Sequence, residues 1–131
     1  MKKSGVLNNQ LSQVIAAMGH TDMLVIGDAG LPVPLGVTCI DLAITAGIPA
    51  FLDVVRAVAV ELEVERMIIA TELQGRNEAL PQKLQGYFPQ AELQAVPHEQ
   101  FKALTQNARA IVRTGEFTPY ANVILCSGVV F

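Results

Sequence analysis

The two histidines are the side chains of this sequence best suited to exchanging protons near neutral pH, because the reference pKa of histidine is about 6.5. His20 comes just after the first predicted helix, and His98 follows Pro97 at the start of a later one. A structural role is open to both, since the helix dipole stabilises a histidine at a helix C-terminus and a first-turn histidine can simply be solvated. Protonation is unfavourable at a helix N-terminus, so we expect His98 to stay neutral or to serve a function.

Four further polar residues could bind hydroxyl groups. Asp28 follows the first predicted strand, Lys102 shares a helix face with His98, and Tyr120 and Asn122 lie in a polar segment before the last predicted strand. Ordinary alternatives exist: Asp28 could cap a turn, Lys102 could be a solvated lysine, and Tyr120 could be structural. Together with the histidines, these residues suit proton transfer on a small, neutral, polyhydroxylated ligand.

Other chemistries have little support in the sequence. Gly27-Asp28-Ala29-Gly30 fits neither GxGxxG nor GxxxxGK[ST], so a nucleotide site is not indicated. The chain has no HExxH motif or Cys/His cluster that would favour zinc, and no serine lies in a GxSxG context. We therefore expect neither a metal nor a cofactor.

Composition predicts one domain, residues 1–131, with some of its surface in contact with another subunit. Apolar residues make up 51% of the 131 residues and charged residues 16%, against a usual charged share of about 25%. Such a chain has ample apolar surface to fold. It lacks the roughly 20 consecutive apolar residues of a membrane span, and its net charge of −3 argues against nucleic-acid binding.

The cysteines and the N-terminus favour a reduced, cytoplasmic location. Cys39 and Cys126 lie far apart in apolar runs and are typical of small buried thiols. The first residues lack the continuous apolar segment of a signal peptide.

Short apolar runs that alternate with amphipathic helices predict an α/β domain with a largely parallel or mixed sheet. The first helix contains Leu11 to Met18, with Asn8 or Asn9 as its cap and Gly19 as its stop. Ligands of open α/β sheets gather beyond the carboxyl ends of strands, which favours Asp28 as a site residue. The predicted strands are 23–26, 37–43, 67–70, 91–96, 110–112 and 122–126. The later helices are 51–62, 76–87 and 97–108, with Pro81 as a boundary or kink in the second of them.

Six separated segments resemble the ribose/fucose mutarotase family. Their order and spacing match along essentially the whole chain, although residues 73–95 carry no motif. The last segment differs from that of the fucose mutarotases, which favours the ribose branch. The segments are Gly19-His20-Thr21-Asp22, Asp28-Ala-Gly-Leu-Pro32, Phe51-Leu-Asp-Val54, His98-Glu-Gln-Phe-Lys102, Arg113-Thr-Gly-Glu116 and Thr118-Pro-Tyr-Ala-Asn-Val-Ile-Leu125.

The resemblance implies a cofactor-independent isomerase that interconverts the pyranose and furanose forms, and the anomers, of free D-ribose. It would supply the form that a phosphorylating enzyme consumes. The implied fold is a three-layer α/β/α domain that assembles into pentameric rings, paired as a decamer, with sites close to subunit contacts. His20 matches the catalytic acid of the family. The matching sugar-binding positions are Asp28, His98, Tyr120, Ala121 and Asn122, with Lys102 as a further candidate.

Three alternatives remain open from the sequence. The protein could be an L-fucose mutarotase, a non-catalytic sugar-binding module, or a structural oligomer whose polar residues only cap helices. A binding module would bind sugar without accelerating exchange between ring forms, and a structural oligomer would not respond to sugar.

Overall fold

The computed structural model describes all 131 residues and contains one six-stranded sheet with strand order β2-β5-β1-β6-β3-β4. Five strands run parallel to one another, and β6 is antiparallel to its neighbours β1 and β3. The predicted α/β class with a mixed sheet is therefore confirmed. The strands are β1 (Met23–Gly27), β2 (Thr38–Asp41), β3 (Val64–Ala70), β4 (Glu92–Val96), β5 (Ala110–Arg113) and β6 (Val123–Ser127).

The structure has five helices, one before β1 and four between later strands, and none of them combines the length and apolarity needed to cross a bilayer. As predicted, the first begins at a capping asparagine: the Asn8 side chain accepts the backbone N–H of Leu11 at 2.9 Å. It ends slightly early, so that Gly19 lies beyond it. The helices are α1 (Asn9–Ala17), α2 (Phe51–Ala59), α3 (Thr71–Arg76), α4 (Ala79–Tyr87) and α5 (His98–Leu104), with a 3₁₀ turn at Thr105–Asn107.

Helices cover both faces of the sheet, which confirms the predicted three-layer arrangement. Leu24 and Ile26 of β1 point into a large core shared with α1, α2 and α4, whereas Val25 points into a smaller core on the other face. This alternation follows from the two-residue period of a strand. The smaller core is closed by Phe101 of α5 and by Leu31 of the loop after β1. Cys126 is buried in this core as a free thiol, and Cys39 is half-buried.

The helix predicted for residues 76–87, with Pro81 as a boundary or kink, is confirmed for residues 79–87 only, because a separate helix ends at Arg76. α3 starts directly after β3, and α4 begins two residues after Asn77. The Asn77 side chain accepts the backbone N–H of Leu80 at 3.2 Å, which favours a new helix start over continuation. Pro81 lies in the first turn of α4. Backbone N–H groups there have no acceptor within the helix, so the missing N–H of proline costs no helical hydrogen bond.

Candidate active site

The direction of β6 brings separate chain segments together at one edge of the sheet. β1 ends at this edge and β6 begins there, with Ile26 paired to Val123. Asp28 directly follows β1, Asn122 directly precedes β6, and His98 lies two residues after β4. We call this the carboxyl edge, because the parallel strands end there, and the opposite one the amino edge. Open α/β sheets bind ligands at the carboxyl ends of their strands.

Asn122 holds Asp28 with two hydrogen bonds. The backbone N–H of Asp28 donates to Asn122 Oδ1 at 2.8 Å, and Asn122 Nδ2 donates to Asp28 Oδ2 at 3.1 Å. The other carboxylate oxygen accepts the backbone N–H of Gly30 at 2.9 Å. Because Asn122 is only 1% exposed, these bonds are shielded from water. The Asp28 carboxylate is thus fixed in one orientation at the rim of the carboxyl edge.

The close approach of these segments requires glycine at position 27. A Cβ atom on Gly27 would lie 2.7 Å from a methyl carbon of Leu31 and 3.0 Å from Asn122 Oδ1. Both neighbours are buried and cannot move aside freely. Glycine at the end of β1 therefore allows the loop that carries Asp28 to pack closely against this strand.

His98 is fixed by its backbone and by two aromatic rings. Its backbone N–H donates to the Glu72 carboxylate at 3.0 Å. The imidazole stacks on Phe101 with 6.2 Å between ring centroids and meets the ring of Tyr120 at 5.0 Å and 82°. Nδ1 is buried without a hydrogen-bond partner within the chain. The two ring contacts fix the plane of the imidazole.

The carboxylate of Glu72 is kept ionised by hydrogen bonds. The backbone N–H of Glu72 itself lowers the pKa of its carboxyl group most, and the backbone N–H of His98 lowers it further against an opposing effect of desolvation. Glu72 belongs to α3, so this bond joins α3 to the start of α5.

A second acidic residue, Glu116, positions the segment that leads to Tyr120. Its carboxylate accepts the backbone N–H of Phe51 at 3.1 Å and the hydroxyl of Thr118 at 3.0 Å. Burial raises the pKa of Glu116, but the hydrogen bonds from these two residues and Phe117 outweigh it, and the pKa lies below its usual value. This carboxylate therefore joins the start of α2 to the loop before β6.

These segments enclose a cavity of about 240 Å³ at the carboxyl edge. Four of the sequence-predicted site residues share it: Asp28, His98, Tyr120 and Asn122. It offers a carboxylate, an imidazole, a phenol and an amide, so it can donate to and accept from several hydroxyl groups. The complete lining consists of Asp28, Gly30, Leu31, Pro32, Arg76, His98, Pro119, Tyr120 and Asn122.

Comparison with known proteins agrees with this geometry. Residues 1–130 match the RbsD / FucU transport protein family. The chain belongs to this family. It is 50% identical to the D-ribose pyranase of Bacillus subtilis (strain 168) and 55% identical to that of Paracidovorax citrulli, in each case over the full length of both chains. The family predicted from the sequence motifs is confirmed.

Two solved structures are similar to this member of the RbsD / FucU family. The structure of Bacillus subtilis RbsD complexed with D-ribose covers all of both chains at 50% identity, with a TM-score of 0.95. The fucose mutarotase from Streptococcus pneumoniae, in complex with L-fucose, covers 95% of each chain at 23% identity, with a TM-score of 0.77. The second likeness shows the shared fold.

Two of the family-matched binding positions lie beside the cavity of this RbsD / FucU protein rather than in its lining. Lys102 faces an adjoining groove that also contains Pro32, and its Nζ pairs with Glu99 at 2.6 Å. Ala121 is fully buried, and its backbone N–H donates to the carbonyl of Thr118 at 3.3 Å.

His20 lies at the amino edge, away from the cavity of its own chain. The length of β1, about 13 Å between Met23 and Gly27, separates this position from Asp28. Its Nε2 lies 2.9 Å from an oxygen of Glu65, the second residue of β3, and both side chains are about half exposed. The structure therefore brings four of the six predicted binding residues together in the cavity lining and leaves the predicted acid at the opposite edge.

Sequence reasoning missed Arg76 and Glu72 of α3. Arg76 lines the cavity, and its guanidinium carbon lies 5.2 Å from the ring centroid of Tyr120. Neither residue lies in one of the six motif segments. The one available indication was position, because α3 follows a strand that ends at the carboxyl edge.

Proposed function

We propose that this protein is a D-ribose pyranase, an isomerase that interconverts the pyranose and furanose forms of D-ribose and their anomers. The observation that carries the proposal is the full-length likeness to Bacillus subtilis RbsD, whose structure contains D-ribose. The hydroxyl-binding groups around the cavity support it independently.

Exchange between the ring forms needs only proton transfers. The bond between C1 and the ring oxygen breaks as the oxygen gains a proton and the anomeric hydroxyl loses one, which yields the open-chain aldehyde. Attack by a different hydroxyl on C1 then closes the other ring. A positioned acid or base contributes about 10²–10⁴-fold to such a step.

In this proposal, the cavity residues bind the sugar. Asp28 and Asn122 form a rigid pair for hydroxyl recognition, while His98 and Tyr120 present an imidazole and a phenol beside them. Ala121 contributes through its backbone, because its buried side chain holds the chain in place between Tyr120 and Asn122. Lys102 acts from the adjoining groove, where displacement of Glu99 would free its ammonium group.

His20 of a second copy serves as the proton donor. Within its own chain it is separated from the cavity by the length of β1. Its bond to Glu65 occupies one ring nitrogen, and the other has no hydrogen-bond partner within the chain. A neighbouring copy whose amino edge faces this carboxyl edge would bring the imidazole to the sugar.

Exposed apolar side chains support contact between the two edges. Phe117, between β5 and β6, is 70% exposed at the carboxyl edge. At the amino edge, where β6 ends, Val130 is 86% exposed and Phe131 is 101% exposed. Contacts of one edge with the other are heterologous, and they close into rings when the rotation permits. We propose pentameric rings paired as a decamer, working in the cytoplasm.

The function is tested by saturation-transfer NMR on D-ribose and L-fucose. We expect the protein to transfer saturation between the pyranose and furanose signals of D-ribose well above the rate in buffer. Faster exchange of L-fucose would assign the protein to fucose instead. Binding of D-ribose without acceleration would contradict the enzyme and favour a binding module.

A further inference from the structure

Arg76 is the one arginine of the chain whose guanidinium has no hydrogen-bond acceptor. Each of the others has a side-chain partner: Arg56 donates to Asp53, Arg66 to Cys126 and Arg113 to Asp41, and Arg109 forms an ion pair with Asp22. A guanidinium has five N–H donors in a planar fork and suits an acceptor with two oxygen atoms. Arg76 is an exposed residue in the lining of the cavity, so its donors are available to solvent or to a ligand there.

Tyr120 holds this guanidinium in place. The guanidinium carbon lies 5.2 Å from the centroid of the phenol ring, a cation–π contact. The ring itself is fixed by the edge-on contact with His98 and by the left-handed backbone of Tyr120, whose φ is 62°. A tyrosine in that conformation is held by its surroundings. The donors of Arg76 are thus positioned beside the cavity by the contact with Tyr120.

The charge of the cavity favours a neutral ligand for these donors. Asp28 lies in the same lining, and the structure shows no ion pair between it and Arg76. One negative and one positive side chain leave the lining without excess charge, whereas a phosphate or carboxylate ligand would meet the Asp28 carboxylate. Two adjacent hydroxyl groups of a sugar supply the paired oxygen acceptors without that repulsion.

We propose that Arg76 is a substrate-binding residue that donates hydrogen bonds to two neighbouring hydroxyl groups of the pentose. This inference rests on the proposed function and adds a contact outside all the motif segments. Arg76 thereby contributes to the choice among sugars that differ by one hydroxyl. A site that hydrogen-bonds a hydroxyl rejects analogues that lack it, because its polar groups are then left unpaired.

The test is Arg76→Met, which keeps the length of the side chain but removes the donors. We expect KM for D-ribose exchange to rise about tenfold or more, because hydrogen bonds from a charged donor are lost. A smaller change in kcat is expected, since the lost contacts bind the ground state and the transition state alike. Arg56→Met, on the exposed side of α2, is the matched control and should leave both constants unchanged.

Analogues separate direct contact from an indirect effect through Tyr120. Affinities for D-ribose and its 2-deoxy, 3-deoxy and 5-deoxy forms are measured by NMR titration in both proteins. If Arg76 binds a hydroxyl, the wild-type protein discriminates against at least one deoxy sugar and Arg76→Met loses that discrimination. A uniform loss of affinity for all four sugars would overturn direct binding.

Two further outcomes would also overturn the inference. An unchanged KM in Arg76→Met, with normal wild-type exchange, would refute the role of Arg76 and leave the proposed function intact. Tighter binding of ribose 5-phosphate than of ribose, abolished in Arg76→Met, would reassign the donors to an anion. If the wild-type protein accelerated no exchange, the proposed function would fail, and the titrations would still decide whether Arg76 binds sugar.

Discussion

The pair formed by Asp28 and Asn122 predicts a specific pH response for Asn122→Asp. This substitution preserves size but replaces the amide donor with a carboxylate at 3.1 Å from Asp28 Oδ2. Two unit charges at that distance repel each other by about 5 kcal/mol at an effective dielectric constant of about 20. Because position 122 is 1% exposed, water relieves little of this repulsion. The carboxylate pair will therefore retain one proton in the folded protein over a wide pH range.

The retained proton determines whether the stability of Asn122→Asp rises or falls with pH. The pKa of the introduced carboxyl group is raised in the folded state above its unfolded value of about 3.9. Below that pH, the group is protonated in both states and can donate to Asp28 as the amide does. As pH rises towards the folded pKa, the folded state alone keeps the proton and its stability falls. Relative to wild type, the free energy of unfolding should fall by under about 1 kcal/mol near pH 4 and by up to about 5 kcal/mol at high pH.

Urea denaturation from pH 4 to pH 8 measures this difference. Protein concentration must be held constant, because association of subunits would also stabilise the folded state. Asn107→Asp, in the exposed 3₁₀ turn, is the control and should change the free energy of unfolding by less than about 0.5 kcal/mol throughout. A loss of equal size at every pH, or no loss at pH 8, would refute the account of the Asp28–Asn122 pair.

Two other substitutions test the supports of the site. Gly115→Ala should destabilise the protein by about 2–4 kcal/mol, because its Cβ would lie 2.5 Å from two backbone carbonyls of the 45–48 turn. Thermal denaturation measures this, and Gly86→Ala in α4, which has open space around it, should be neutral or stabilising. Glu116→Gln should cost on the order of 1–2 kcal/mol at pH 7, because Phe51 N–H loses a charged acceptor. Since the pKa of Glu116 is lowered in the folded state, that contribution is present above about pH 5 and is lost on acidification. The gap between wild type and Glu116→Gln should therefore close in acid, and a gap independent of pH would contradict the role of the charge.

The strands were predictable because their residues form short apolar runs. β1, residues 67–70 of β3 and β6 are buried on both faces, so burial alone selects continuous apolar sequence there. α3 was not predictable in the same way. Its six residues, Thr71–Arg76, bury only Leu73 and show no amphipathic repeat, and β3 runs into them without a turn. The conformation of α3 is decided by packing at the end of β3.

The site was predictable in composition but not in arrangement. The predicted residues Asp28 and Asn122 are 94 positions apart, and they meet because β6 runs antiparallel beside β1. No local pattern encodes that direction. The position of His20 at the amino edge, in contrast, follows from the sequence, because His20 precedes β1. Arg76 has no motif around it, and only the position of α3 directly after β3 indicates its place in the cavity lining.

The central claim is that His20 of one copy and the cavity of another act together in ring exchange. It is tested by mixing His20→Ala with Asp28→Asn, each expected to be nearly inactive alone. If subunits of the two variants are co-assembled in equal amounts, about one quarter of the heterologous contacts will join an intact His20 to an intact cavity. Saturation-transfer NMR on D-ribose should then show recovery towards about a quarter of wild-type exchange in the mixture. Exchange that stays at the level of the separate variants, in mixed oligomers verified by native mass spectrometry, would contradict the claim.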